Sequence, residues 1–167
     1  MKETIYLGVF LAVTSAIAAG LLAMTYVATT GKIEAQKAAE LKDSLKTILP
    51  EAERFVENKP GSFAGYKGAT EAGKCLQVKT RGYAGDIELL VGINNQGKVT
   101  GVKILKINET PGLGLNANDP KFLGQFIGKT RDDKLKAKED IQAITGATIT
   151  SQAVGSGIKK ALELLGK

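Results

Sequence analysis

The feature that most restricts the fold of this chain is an uncharged N-terminal run from Thr4 to Gly31, rich in Leu, Ala, Val and Ile. It is longer than the roughly 20 apolar residues that are needed to cross the hydrocarbon core of a bilayer. Tyr6 and Tyr26 stand near its two ends, where aromatic side chains commonly meet a membrane interface. The run therefore predicts a transmembrane anchor, in contact with membrane lipid, within residues 1–31.

A cleaved signal peptide is the alternative interpretation of the same run. Ala16-Ile17-Ala18 resembles a small-residue cleavage site. The apolar core of a signal peptide is usually only about 7–15 residues long, which favours a retained anchor.

The segment after the span, residues 32–60, predicts a helical stalk. Its apolar residues recur at nearly helical spacing until Pro50 interrupts the pattern. Glu51 to Val56 is a candidate for one further turn of helix, and Pro60-Gly61 marks a boundary.

Residues 61–167 change to a strand pattern. The sequence predicts strands at Cys75–Thr80, Ile87–Ile93 and Val99–Ile107, with a hairpin turn at Asn94-Asn95-Gln96-Gly97 between the last two. A short helix is expected after Asn118-Asp119-Pro120, and an amphipathic helix from Ser151 onward. We therefore predict an α+β fold in which late helices pack on one face of a mainly antiparallel sheet.

The chain has no histidine and a single cysteine, Cys75. These absences exclude an imidazole base, a disulfide within the chain, a cysteine cluster, a zinc site and a Cys-His pair. We predict no catalytic residue and no metal site, so any redox chemistry has to come from a cofactor. The net charge of +6 comes from scattered lysines without interleaved aromatic residues, which argues against nucleic-acid binding.

The first candidate binding segment, Asn108-Glu109-Thr110-Pro111-Gly112-Leu113-Gly114, leaves the last predicted strand. Pro111-Gly112 suits the two central positions of a type II turn. Gly112 and Gly114 would let a flat or anionic ligand approach the backbone. An ordinary connecting loop is the alternative interpretation.

The second segment runs from Asp140 to Ser151 and places four hydroxyl groups around Gly146, those of Thr145, Thr148, Thr150 and Ser151. Such hydroxyl groups cap the free N–H groups at the start of a helix, and the same N-terminus attracts phosphate. A capped terminal helix and a phosphate site therefore both remain open at this point.

The span, Glu109-Thr110-Pro111-Gly112-Leu113-Gly114 and Thr145-Gly146-Ala147-Thr148 together resemble the FMN-binding domain family. Within that family the chain is most similar to the G subunits of Rnf electron-transport complexes. The C subunits of sodium-pumping NADH:quinone reductases show a related pattern. The resemblance covers essentially the whole chain, and it implies an FMN-binding domain in residues 61–167.

The resemblance implies that FMN is attached through its phosphate to Thr148, the last residue of the [Ser/Thr]-Gly-Ala-Thr motif. A separate flavin transferase makes this bond in the family. Family members often carry an acidic residue six positions before the acceptor, and this chain has Gln142 there. The other expected cofactor-binding residues come from the two segments: Thr145, Gly146, Ala147, Thr150, Ser151, Asn108, Glu109, Thr110, Gly112, Leu113 and Gly114.

The chemistry of these residues predicts which part of FMN each of them would bind. A helix N-terminus at Ser151, with Thr150 or Ser151 donating, would bind the phosphate. Gly112 to Gly114 would pack on the isoalloxazine, and Thr110 or Asn108 would bond its polar edge.

The resemblance further implies an electron-relaying subunit that is not catalytic alone. Its complex would exchange electrons between reduced ferredoxin and NAD, coupled to sodium or proton movement. The expected partners are the other subunits of this complex, a flavin transferase and membrane lipid.

Family members place the flavin domain on the outer, periplasmic face of the cell (inner) membrane. The lysines after the span favour the opposite orientation, but Lys2 is offset by Glu3, so the charge pattern is weak. Two alternatives remain. One is a stand-alone extracytoplasmic flavin reductase, and the other is a non-redox anchored binding or sensor domain in which Thr148 only caps a helix.

Overall fold

A computed structural model describes residues 2–165 of the chain as a long N-terminal helix, a five-stranded sheet and three shorter helical segments. The boundary between its two compact units lies between Lys42 and Asp43. The elements in order are α1 (Lys2–Ile48), β1 (Arg54–Lys59), β2 (Ser62–Lys67), β3 (Thr70–Arg81), β4 (Asp86–Asn94), β5 (Val99–Ile107), a 3-10 helix (Gly114–Asn118), α2 (Pro120–Gly124) and α3 (Thr148–Leu165).

The first unit is the part of α1 that precedes Asp43, and it contains the whole uncharged run. By length and composition this helix is able to cross a membrane, although a signal sequence passes the same test. The hydroxyl groups of Thr25 and Thr30 donate to backbone carbonyls four residues earlier, those of Leu21 at 2.8 Å and Tyr26 at 2.6 Å. These hydroxyl groups are therefore satisfied within the helix, as an apolar environment requires.

The second unit is built on an antiparallel meander in which neighbouring strands follow chain order from β1 to β5. Two residues of the turn between β4 and β5 stabilise the reversal of the chain there. The side-chain oxygen of Asn94 accepts hydrogen bonds from the N–H groups of Gln96 and Lys98, both at 3.0 Å. Gly97 adopts a φ of 73°, a conformation that costs glycine little.

One face of the sheet is covered by α3, which packs on β3 and β4. Val154 and Ile158 of α3 are fully buried and share one apolar cluster with Leu89 and Val91 of β4. The helix α3 approaches β4 closely at Gly157, where an added Cβ would lie 2.5 Å from Leu89 Cδ1. This packing fixes the N-terminus of α3 over one end of the sheet.

The opposite face holds the last turn of α1. Ile48, which is 2% exposed, lies over two glycines of the sheet. A Cβ at Gly92 would lie 2.7 Å from Ile48 O, and one at Gly101 would lie 2.8 Å from Ile48 Cα. Thr100 Oγ1 donates a hydrogen bond of 2.6 Å to Ile48 O and so satisfies a carbonyl at the helix end. The end of α1 is therefore part of the core of the second unit.

The structure confirms the predicted α+β class and the three predicted strands. Two of them are longer than predicted, at Thr70–Arg81 and Asp86–Asn94, and the third has the predicted bounds, Val99–Ile107. The further helical turn expected over Glu51–Val56 is wrong, because β1 begins at Arg54 and pairs with β2. The helix expected from Ser151 begins three residues earlier, at Thr148. The division into residues 1–31, 32–60 and 61–167 stays a prediction.

The thiol of Cys75 lies in the interior of the second unit, where its residue is 0% exposed. Burial raises the pKa of this thiol to about 12. Because the thiolate is the reactive form, we expect the native protein at about pH 8 to resist thiol reagents and to react only in denaturant. A fluorescent maleimide measures this, with Gln96→Cys in the hairpin turn as the positive control. Rapid labelling of native Cys75 would contradict the prediction.

Candidate functional site

A pocket opens between the loop after β5, the turn that joins β3 to β4, and the start of α3. Its volume is about 440 Å³. Eight of the twelve residues predicted for the site line it: Glu109, Thr110, Leu113, Gly114, Gly146, Ala147, Thr148 and Thr150. The structure thus brings together two segments that are some thirty residues apart in the chain.

Three of the other four predicted residues do not line this pocket. Thr145 lines a second, more polar cavity together with Gln142. Ser151 is fully buried within α3, and Asn108 packs against Gly85, where a Cβ would lie 2.6 Å from Asn108 Cβ. The cofactor contacts expected of these three residues stay predictions, since none of the three lines the pocket.

Gly112, the fourth predicted residue that does not line the pocket, occupies a turn in the loop after β5. It adopts a φ of 76°, and Leu113 N–H donates to Thr110 O at 3.2 Å. This is the geometry of the type II turn predicted from Pro111-Gly112. The turn carries Leu113 and Gly114 to the pocket wall.

The clustered hydroxyl groups have different environments. Ser151 donates to Ala147 O at 2.9 Å and accepts from Ile144 N–H at 3.0 Å. Thr150 donates to the carboxylate of Glu109 at 3.2 Å. Within residues 2–165, the hydroxyl group of Thr148 has no hydrogen-bond partner, and Thr148 is half-buried at the pocket. Of the four clustered hydroxyl groups, that of Thr148 is therefore the one that both lines this pocket and is unbonded within residues 2–165.

The start of α3 supplies donors as well. Its first intrahelical hydrogen bond is from Ser151 N–H to Ala147 O, at 2.9 Å. The N–H groups of Thr148, Ile149 and Thr150 precede it and have no acceptor within the helix. Free N–H groups and the positive end of a helix dipole together favour a bound anion.

Two pocket residues were not predicted from the sequence, Tyr83 and Ile149. Their side chains are 69% and 57% exposed, and with Leu113 they form an apolar rim. Strand pairing is the signal that places Tyr83 there. The partners Ile87 and Ile107 bring the turn before β4 beside the end of β5.

Asp140 begins the hydroxyl-rich segment but has a structural role in the loop before α3. Its carboxylate accepts hydrogen bonds from Leu135 N–H at 2.9 Å and Lys136 N–H at 2.8 Å, and Lys129 Nζ lies 3.6 Å away. Burial alone would raise the pKa of Asp140, but these hydrogen bonds and the Lys129 charge outweigh it and lower the pKa. The carboxylate therefore stays ionised and ties the loop together.

Comparison with known proteins gives matches to two family models, the RnfG N-terminal region at residues 1–48 and the FMN-binding domain at residues 82–163. The G subunit of the proton-translocating ferredoxin:NAD(+) oxidoreductase complex of Clostridium ljungdahlii is 39% identical over 92% of this chain and 86% of its own length. The chain belongs to the family of G subunits of ion-translocating oxidoreductase complexes. The corresponding G subunit of the Na(+)-translocating complex of Acetobacterium woodii is 34% identical over 98% of this chain and 92% of its own length.

This member of the G-subunit family also shares its fold with a solved structure. The crystal structure of Shewanella oneidensis NqrC aligns with a TM-score of 0.50 and 20% identity, over 67% of this chain and 66% of that one. The match to the FMN-binding domain begins at Gly82, so it includes every residue of the pocket.

Proposed function

We propose that this chain is a membrane-anchored flavoprotein that relays electrons within its complex through FMN held covalently on Thr148. The observation that carries the proposal is the hydroxyl group of Thr148 at the pocket, which has no partner among residues 2–165. Thr148 is the first residue of α3, and the neighbouring hydroxyl groups are bonded elsewhere or lie outside the pocket.

The pocket residues fit the parts of FMN. The free N–H groups at the start of α3 suit a phosphate joined to Thr148. The apolar side chains of Tyr83, Leu113 and Ile149 suit a flat aromatic ring, and a volume of about 440 Å³ falls in the range of ligand sites. When bound, FMN would supply the redox chemistry, whereas the chain supplies the tether, the orientation and the electrostatic environment.

Attachment requires a maturation partner. The chain has no histidine, and the carboxylate of Glu109 is engaged by Ala84 and Thr150. The described residues that line the pocket thus offer no free base to activate the hydroxyl group of Thr148. We assign this step to a separate flavin transferase that acts on Thr148.

The electron partners follow from the relatives, whose names describe ferredoxin:NAD(+) oxidoreductase complexes that move protons or sodium ions. One cysteine is too few to hold an iron–sulfur cluster. The chain would therefore exchange electrons with neighbouring subunits through its flavin alone. Co-purification of the full chain with several polytopic subunits supports this role, whereas a free flavoprotein that reduces substrates alone would establish the stand-alone reductase.

We further propose that α1 crosses the cell membrane and that the second unit lies on the outer face. The apolar composition of α1 and membership of the G-subunit family support the membrane crossing, and the outer placement rests on the resemblance to family members. We expect Gln96→Cys to react with an impermeant maleimide on intact cells, because Cys75 is buried and leaves the new thiol as the reactive one. Labelling that appears only after lysis would place the domain inside.

A further inference from the structure

We propose that the carboxylate of Glu109 lowers the reduction potential of the flavin by placing a fixed negative charge in the pocket wall. The inference rests on the proposed function, since it needs a flavin in this pocket. It adds an electrostatic role to the cofactor binding that the sequence predicts for Glu109.

Burial and hydrogen bonds hold the carboxylate of Glu109 in the pocket wall. The residue is 8% exposed and belongs to the loop after β5. Its oxygens accept hydrogen bonds from Ala84 N–H, at 3.2 and 3.4 Å, and from Thr150 Oγ1 at 3.2 Å. One side chain thus joins the β3–β4 turn to the start of α3, which are two of the three walls of the pocket.

Two glycines make room for this side chain. A Cβ at Gly114 would lie 2.6 Å from Glu109 Cβ and 2.7 Å from its Oε2. A Cβ at Gly82 would collide with Glu109 Oε1. The space around the carboxylate is therefore closed on both sides, which holds the side chain against the pocket.

The charge of Glu109 has no cationic partner in the described part of the chain. Ion pairs with nitrogen and oxygen within 4.0 Å in this part of the chain include those of five other carboxylates, Glu71, Asp86, Asp133, Glu139 and Asp140, but none of Glu109. A buried charge without an opposite charge opposes folding, so a carboxylate kept at this position needs hydrogen bonds or a function to account for it. The position of Glu109 therefore indicates a role in the pocket as well as in the fold.

The redox consequence follows from the sign of this charge. Each electron that enters a flavin adds negative charge to the pocket unless a proton accompanies it. The carboxylate of Glu109 repels that added charge, and because Glu109 is only 8% exposed, water screens the repulsion less than it would at the surface. Reduction is therefore less favourable than it would be beside a neutral side chain, and the potential is lower.

The test is a potentiometric titration of the full-length flavinylated protein in detergent, followed by flavin absorbance. Glu109→Gln keeps the size of the side chain and an oxygen that can accept from Ala84 N–H, but it removes the charge. We expect its midpoint potential to move to a more positive value. Glu163→Gln is the matched control, because it removes one exposed charge about 20 Å away along α3 and should leave the potential unchanged.

Thr150→Val distinguishes the effect of the Glu109 charge from that of its hydrogen bond with Thr150, since it removes the donor and keeps the carboxylate. Its potential should fall below that of the wild type. An unshifted potential in folded, flavinylated Glu109→Gln overturns the inference, and so does an upward shift in Thr150→Val. If Glu109→Gln takes up no flavin, a lower potential in Thr150→Val supports the inference, and an equal or higher one overturns it. Wild-type protein without covalent flavin would instead refute the proposed function.

Discussion

Replacing Thr148 with alanine is expected to remove all covalent flavin from the protein. Among residues 2–165 the hydroxyl group of Thr148 has no partner at the pocket, and alanine has no oxygen that could bond the phosphate. The full chain would be produced together with a flavin transferase and separated by denaturing electrophoresis. Under ultraviolet light, we expect a fluorescent band for the wild type and none for Thr148→Ala.

Two variants control this experiment. Thr148→Ser keeps a hydroxyl group and should retain a fluorescent band. Thr150→Ala removes the hydroxyl group that is bonded to Glu109 and should retain the band as well. A band that survives in Thr148→Ala and disappears in Thr150→Ala would move the attachment site. A wild-type protein that never fluoresces would favour the non-redox sensor domain.

Replacing Ile48 with alanine should destabilise the second unit by about 2–5 kcal/mol, the usual cost of removing a large buried side chain. Ile48 is 2% exposed and lies over Gly92 and Gly101, which have no side chains that could fill the space. Urea denaturation of the full-length protein in detergent, followed by maleimide labelling of Cys75, would measure the free energy of unfolding.

Ile127→Ala is the matched control, because the same side chain is 57% exposed there. Exposed substitutions usually change stability by no more than about 0.5 kcal/mol. Equal losses in the two variants would show that the end of α1 does not belong to the core of the second unit.

Three of the five strands, β3, β4 and β5, could be predicted from the sequence, for a physical reason. β4 is a long apolar run and β5 an alternating one, and a turn that contains glycine separates them. The local pattern and the final structure therefore agree. β1 was missed because its residues Arg54–Lys59 are mostly exposed and lack alternation. Its strand conformation depends on pairing with β2, which a local pattern does not report.

The pocket was predicted in part. Motif residues identified two of its walls, but the environments of the hydroxyl groups depend on contacts between distant segments. The bond from Thr150 to Glu109 joins residues that are 41 positions apart, and spacing alone does not reveal it. Tyr83 was missed for the same reason, since it reaches the site only through the pairing of β4 with β5.

The strand order from β1 to β5 has a consequence for how the protein folds. Every strand pairs with its neighbour in the chain, so the sheet grows through short loops whose closure costs little entropy. The start of α3 meets the β3–β4 turn only across a long stretch of chain, and α3 follows all five strands during synthesis. We therefore expect the sheet to assemble first and the pocket to close as the final event. A nascent chain would then present its flavin acceptor only after most of the domain has folded.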